Sequence, residues 1–225
     1  KKILEKIKKF LKDNKSKKIY FDDMYSYSLT ENNFFYYEDA YGGLKLPLPN
    51  LLGDFQISNV ATAIATLRSI DGLKILDNNI KEGITRIQSV ARFQEIKSGK
   101  LKNIVKKNKL FVDGAHNPLA AKVLNEYLDK INSNKHLIIG MMLNKEHKKY
   151  IDYFKKNISS ITTVDIPNQP NSIKGEDLKK KFSTFRTVNY KSSIEEALKS
   201  LKLKDEDMIL ITGSLYLAGE VLNLN

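Results

Sequence analysis

The sequence predicts an α/β fold built on a mostly parallel sheet, and three observations carry that prediction. The run Leu110-Phe111-Val112-Asp113-Gly114-Ala115-His116-Asn117-Pro118 takes an apolar strand into a polar turn and then into a helix, the kind of junction where α/β proteins bind and react. The stretch Met208 to Thr212 repeats this pattern, entering a second helix through Gly213-Ser214. From about residue 93 onward, strand and helix periodicities alternate, which implies parallel strands with helices on both faces.

Composition narrows the class. The chain has 225 residues, 41% of them hydrophobic, enough for one large domain or two small ones with ordinary cores. It contains no cysteine, so disulfides and thiolate metal sites are excluded. Its three histidines, His116, His136 and His147, are too scattered to suggest a zinc cluster, and no metal ligand is assigned. Apolar runs such as 137–142 and 208–212 are far too short to span a bilayer, and no signal-peptide pattern opens the chain. A cytoplasmic protein with no membrane partner, a monomer, is expected. The formal net charge of +12 comes from lysines spread over 1–18, 97–109, 145–156 and 174–181. Neither an aromatic RNA platform nor a zinc finger accompanies them, so no specific nucleic-acid partner is expected. A basic surface of this kind favours anionic substrates such as nucleotides.

Taken in order, residues 1–12 carry Ile3, Leu4, Ile7, Phe10 and Leu11 on one helical face, followed by a short strand over 18–21. Strands at 34–37 and 43–48 flank Tyr41-Gly42-Gly43, and Pro47 and Pro49 close that region. A helix over 54–70 has Val60, Ala61, Ile64, Leu67 and Ile70 as its buried stripe, and a shorter one spans 77–87. A domain boundary is placed at residue 88, where the pattern changes. Beyond it, strands at 93–97, 109–112, 137–140, 161–166, 186–190 and 208–212 alternate with helices at 118–131, 145–157, 175–182, 193–201 and 215–223. Asn117 is a good N-cap with Pro118 at the first helical position, and Ser192 with Glu195 forms a capping box for the helix at 193–201.

Two strand ends carry candidate chemistry. Asp113 can accept hydrogen bonds from ribose hydroxyls, the helix behind it favours an anion, and His116 can donate a hydrogen bond or add positive charge. A capped turn that Asp113 closes is the plainer alternative. At the other end Gly213 permits close backbone approach and Ser214 can meet a ligand carboxylate, or serve only as an N-cap.

The first run closely resembles the Asp-x-Ala-His-Asn-Pro signature of the Mur ligase superfamily, specifically its folylpolyglutamate synthase/dihydrofolate synthase branch. Four further stretches match that family in the same order. Gly53-Asp54-Phe55-Gln56-Ile57-Ser58-Asn59-Val60 is similar to Gly-x-His-Gln-x-x-Asn-Ala, with Phe55 in place of His and Val60 in place of Ala. Ala91-Arg92-Phe93-Gln94 resembles Gly-Arg-Phe-Glu, with Ala91 in place of the glycine, a change that restricts the backbone if the position needs positive φ. Gly140-Met141-Met142-Leu143-Asn144-Lys145-Glu146 is similar to Gly-Met-x-x-x-Lys-Asp, and Gly213-Ser214-Leu215-Tyr216 to Gly-Ser-x-Tyr. Alone, Asn59 reads as a solvated helix position, Arg92 as a surface ion-pair partner and Lys145 as surface chemistry.

The resemblance implies an ATP- and magnesium-dependent ligase that adds L-glutamate to folate or dihydropteroate through an acyl phosphate, giving ADP and phosphate. It implies cofactor-binding roles for Asn59 at the base, Asp113 at the ribose and Arg92 at the phosphates, and catalytic roles for Arg92 and His116. His116 and Ser214 are the substrate-binding pair on the glutamate side. The family's phosphate loop, Gly-x-x-x-x-Gly-Lys-Ser/Thr, does not occur in the chain. Residues 1–87 are therefore expected to be the tail of an α/β ATP-binding domain and 88–225 the C-terminal domain, with the magnesium ligands upstream and this fragment inactive alone. Other readings are a Mur-type ligase for peptidoglycan or cyanophycin, and a non-catalytic basic module that binds nucleotides or nucleic acid.

Overall fold

The computed structural model describes residues 2–12, 17–51, 53–156, 158–185 and 187–225, and of Lys2 and Leu4 only the backbone. The chain divides into two compact units, Lys1–Ile87 and Gln88–Asn225.

In the first unit, helix α1 (Lys2–Phe10) is followed by β1 (Tyr25–Leu29), β2 (Phe34–Asp39) and β3 (Gly42–Pro47), then by α2 (Phe55–Arg68) and α3 (Asp77–Thr85). The strands form an antiparallel meander in the order β1-β2-β3. Period-2 alternation places Tyr25, Phe35, Tyr37, Leu44 and Leu46 on one face, where Ile57, Val60, Ala61 and Ile64 of α2 and Ile80 and Ile84 of α3 cover them. Several expectations need correction here. The segment expected as a strand at 18–21 forms only a single bridge from Phe21 to Tyr25, and the real first strand, β1, had not been foreseen. Its sequence Tyr-Ser-Tyr-Ser-Leu alternates correctly but holds two serines, so it lacks a strong apolar signal. Leu67 and Ile70, assigned to the buried stripe of α2, are 40% and 47% exposed, as the helix ends at Arg68. On α1, Ile3, Ile7 and Phe10 are exposed; the side chain of Leu4 lies outside the described residues.

The second unit contains β4 (Gln94–Glu95), α4 (Lys100–Val105), β5 (Lys109–Val112), α5 (Pro118–Leu128), β6 (Lys135–Ile139), α6 (His147–Asp152), β7 (Ser160–Val164), α7 (Gly175–Lys181), β8 (Val188–Lys191), α8 (Ile194–Ser200), β9 (Met208–Thr212) and α9 (Leu215–Leu224). The sheet order is β4-β5-β9-β6-β7-β8, with only β4 antiparallel. The chain steps outward from β5 through β6 and β7 to β8, then returns by α8 to insert β9 between β5 and β6. That reversal sends helices to both faces. Leu110, Val112, Ile138, Ile209 and Ile211 pack with α4, α8 and α9. Leu137, Ile139, Ile161, Met208 and Leu210 pack with α5, α6 and α7 on the opposite face. The crevice outside the carboxyl ends of β5, β9 and β6 lies at the reversal, where such sheets bind ligands.

Element boundaries depart from the sequence reading in instructive places. The strand expected over 93–97 shrinks to two residues because Ala91 and Phe93 have φ of +55° and +47°, outside the strand region. The helix expected to begin at 145 starts at His147, and the one expected to reach 131 ends at Leu128. Asn157 and Arg186, at the ends of an expected helix and strand, lie outside the described residues. The capping box is shifted by one: Ser193 caps α8 by accepting from the Glu196 N–H at 3.2 Å, and Ser192 donates to the Glu196 carboxylate. Glu195 pairs instead with Lys100. Helix α4 was not foreseen; Asn225 accepts from the Leu101 and Lys102 N–H groups at its start, a partner more than a hundred residues away. Among the described residues no helix is long and apolar enough to cross a membrane.

At the amino ends of the strands a polar cluster stitches the sheet together. Asp207 accepts from the Lys204 N–H at 2.8 Å, the Asn134 amide at 2.9 Å and His136 Nε2 at 3.2 Å, while His136 Nδ1 meets Ser160 at 2.7 Å. Burial raises the Asp207 pKa, but these donors outweigh it and hold the carboxyl below its usual 3.8. A depressed carboxyl stabilises the fold above the unfolded pKa and loses that contribution as pH falls through the folded value. The stability difference between wild type and Asp207→Asn is therefore expected to be constant near neutrality and to shrink below about pH 4. Urea midpoints measured from pH 7 to pH 3 check this; a gap independent of pH would refute it.

Candidate functional site

The strand ends are held by hydrogen bonds that continue the β-ladder beyond the strands. Asp113 N–H donates to the Ile211 carbonyl at 2.9 Å, Gly213 N–H to the Ala115 carbonyl at 3.0 Å and Gly140 N–H to the Thr212 carbonyl at 3.3 Å. The fully buried Tyr150 adds its hydroxyl, donating to Ala115 O at 3.1 Å and sharing a 3.0 Å bond with Thr212. The turns after β5, β9 and β6 thus leave the sheet in fixed register.

Asp113 is nearly buried. Its Oδ1 accepts from Ala115 N–H at 2.7 Å and its Oδ2 from Phe93 N–H at 2.8 Å. Burial pushes its pKa upward, opposed by those two N–H groups and by the charges of Arg92 and His116. His116 Nδ1 lies 2.8 Å from the Gly114 carbonyl. A carbonyl only accepts, so Nδ1 carries a proton, and Nε2 donates only when the ring is doubly protonated. Asn117 caps α5 by accepting from Ala120 N–H at 2.9 Å, with Pro118 following, as expected.

Ser214, almost fully buried, caps α9 by accepting from Tyr216 N–H at 3.1 Å. The bond occupies a lone pair and leaves the hydroxyl hydrogen free to donate. After β6, Met142 bridges to Ser172 and Leu143 N–H bonds to Asn171 O, drawing a distant loop to this end of the sheet. His147 is anchored to the Met142 carbonyl at 3.0 Å, and burial lowers its pKa.

These turns enclose a cavity of about 520 Å³ lined by His116, Ser214, Leu215, Tyr216, Asn171 and residues 142–145. His116, Ser214 and Lys145, which come from three strand ends, face one space. No carboxylate lines it, and Lys145 has no salt bridge among the described residues. Arg92 is exposed, makes no salt bridge or side-chain hydrogen bond among the described residues, and has a guanidinium nitrogen near Gly114. Asn59 belongs to the first unit, where its amide donates to Gln56 at 3.0 Å on α2. Gly53, with φ of +104°, opens the turn before that helix. Sequence reasoning held Asn144 and Tyr216 only as members of matched stretches, with no role assigned, and did not find Asn171 or the anchoring Tyr150. Asn171 sits in a loop with no motif, and Tyr150 reads as an ordinary core position on a helix. Among the described residues no group of three or more His, Asp or Glu side chains is placed to hold a metal.

Three neighbouring strand ends of a mostly parallel α/β sheet thus bring an imidazole, a buried hydroxyl and a lysine to one pocket. Residues 92–215 match the Mur ligase glutamate ligase domain, and the chain belongs to the Mur ligase family. It is 30% identical over 193 residues to the folylpolyglutamate synthase of Lacticaseibacillus casei, covering 83% of this chain and 42% of that protein. E. coli FolC in complex with ADP superposes with a TM-score of 0.74 at 25% identity, over 96% of this chain and 50% of that one. E. coli FolC with DHPP and ADP gives 0.69 at 26% identity, over 90% and 46%. The chain spans less than half the length of the curated relatives it matches.

Gly213 has φ of +108°, and a Cβ there would lie 2.7 Å from the Gly140 carbonyl oxygen. Gly213→Ala is expected to cost at least about 1–3 kcal/mol from the backbone alone. Gly219→Ala, in α9 with open space around it, is expected to stabilise by about 0.5–1 kcal/mol. Denaturant unfolding of the two variants checks the contrast; equal shifts would remove the crowding argument.

Proposed function

We propose that this chain is the C-terminal part of an ATP-dependent amide ligase that adds L-glutamate to a folate or dihydropteroate carboxylate. The observation that carries the reading is the donor-rich cavity. Ser214 has only its hydroxyl hydrogen left to give, His116 offers Nε2–H when protonated, and Lys145 brings charge, all into a space with no carboxylate of its own. A substrate carboxylate complements that set.

ATP with magnesium supplies the phosphoryl group that activates the folate carboxylate as an acyl phosphate, which the glutamate amine attacks to release phosphate. Of this chain's residues, Arg92 presents a planar guanidinium suited to two phosphoryl oxygens. Asp113 accepts from the ribose with lone pairs its backbone partners leave free, and Asn59 meets the base. His116 and Ser214 orient glutamate so that its amine faces the reacting carbon. The described residues provide no metal cluster. With no phosphate-loop sequence in its 225 residues, the chain by itself is expected to form no ADP.

The test is ATP-dependent glutamate ligation by the full-length protein. His116→Ala and Ser214→Ala are each expected to raise the KM for glutamate roughly 10- to 100-fold, the loss of one charge-assisted hydrogen bond, with the KM for ATP little changed. If both lose only ATP affinity, the division of the site is wrong; if neither changes any constant, the turns are helix caps and nothing more. Arg92→Lys is expected to lower turnover at saturating ATP at least tenfold, because lysine keeps the charge but loses the fork. Wild-type turnover would return Arg92 to the ordinary surface.

A further inference from the structure

The segment that carries Arg92 is the most strained backbone beside the site. Ala91 and Phe93, on either side of it, both occupy the left-handed region, at φ of +55° and +47°. Neither is glycine, and each such residue costs about 1 kcal/mol or more, so the conformation persists only where neighbours impose it. Three hydrogen bonds impose it here. Asp113 Oδ2 accepts from Phe93 N–H at 2.8 Å, Gly114 N–H donates to Ala91 O at 2.8 Å, and Gln94 Oε1 accepts from Ala91 N–H at 2.9 Å. The Phe93 ring is stacked on Phe111 with centroids 4.5 Å apart and meets the edge of Tyr127 at 4.6 Å. The Arg92 side chain, by contrast, is exposed and unpinned. Its direction of departure is therefore set by the backbone on both sides.

A residue needed only to close the turn after β5 requires one acceptor, which asparagine or serine supplies. Asp113 uses two, one for its own turn through Ala115 and one for a segment twenty positions earlier. We propose that Asp113 is a positioning residue for Arg92: its second carboxylate oxygen locks the strained segment so that the guanidinium is presented at the carboxyl end of β5. This inference rests on the phosphoryl role proposed for Arg92 and adds to the ribose contact a task that acts through another residue. Burial of the carboxylate raises its pKa, and the N–H groups it holds and the Arg92 charge oppose that rise only in part.

A double-mutant cycle in the full-length protein, with hydrogen exchange at the Phe93 amide, tests it. In Asp113→Asn the amide oxygen serves only one of the two N–H groups. Phe93 exchange is expected to rise at least tenfold, and kcat to fall at least tenfold while the KM for glutamate stays within twofold. In an Arg92→Ala background the same substitution is expected to change kcat less than twofold. Gln94→Ala, which removes a different tie to the segment, is expected to move exchange and kcat in the same direction to a smaller extent, and it carries the test if Asp113→Asn does not fold. Equal fold-losses in both backgrounds, or a rise confined to the KM for ATP, overturn the proposal, as does unchanged Phe93 exchange in a folded variant. Wild-type turnover of Arg92→Ala overturns the phosphoryl reading instead, and the exchange rate alone then decides whether Asp113 holds the segment.

Discussion

The carbonyl of Ala115 is the joint on which the candidate site depends. By accepting from Gly213 N–H and the Tyr150 hydroxyl, it ties the turn after β5 to the turn after β9 beyond the last ladder pair, Val112 with Ile211. Gly140 makes the corresponding bond to Thr212 on the other side of β9. The strand inserted last in the sequence is thereby the central one in space, and its two flanks fix where His116 and Lys145 can stand relative to Ser214. Crowding at this joint explains the small residues: a Cβ on Gly114, Gly140 or Gly213 would meet a neighbour at 3.0 Å or closer. Gly213 is expensive to alter because the Gly140 backbone stands on its far side, whereas at Gly114 the neighbour is the end of the Leu215 side chain.

The strong periodicities in the sequence correspond to real elements, and the misses have physical causes. Strands β5 and β9 match the expected bounds because runs of three and four apolar residues, Leu110 to Val112 and Met208 to Ile211, stop at Asp113 and at Thr212-Gly213. Helix α5 starts where Asn117 and Pro118 require. Helix α4 escaped because its cap is the side chain of Asn225, far along the chain, and its six residues are too few to show a stripe. Positive φ at residue 91 was signalled only by the glycine that Ala91 replaces in the matched element, and Phe93 announces nothing about positive φ, so the strand was expected to begin too early. Tertiary hydrogen bonds, rather than local preference, impose that shape.

Site residues were legible where they sit in a turn that directly follows a strand, as Asp113, His116 and Ser214 do. Asn171 was not. Asn171 reaches the cavity only because Met142 and Ser172 form an isolated bridge, a pairing with no sequence signature. Asn59 was found by its motif, yet its visible partner is Gln56, one turn away on its own helix. A motif match and a local hydrogen bond therefore speak to different links in the argument, the first to kinship and the second to folding.

Reading a turn as a cap and reading it as a ligand site are usually set against one another, but at this sheet edge the first prepares the second. When Ser214 accepts the Tyr216 N–H, its hydroxyl is biased toward donating outward. When His116 gives its Nδ1 proton to Gly114, its outer nitrogen donates only after the ring takes up a second proton. Capping thus spends one lone pair of Ser214 and leaves its hydrogen to donate, a doubly protonated His116 adds a second donor at Nε2, and with a lysine beside them this wall selects for anionic oxygen. The polarity of the cavity follows from how the helices are started, and the sequence encodes it through residues whose folding task would otherwise seem sufficient to explain them.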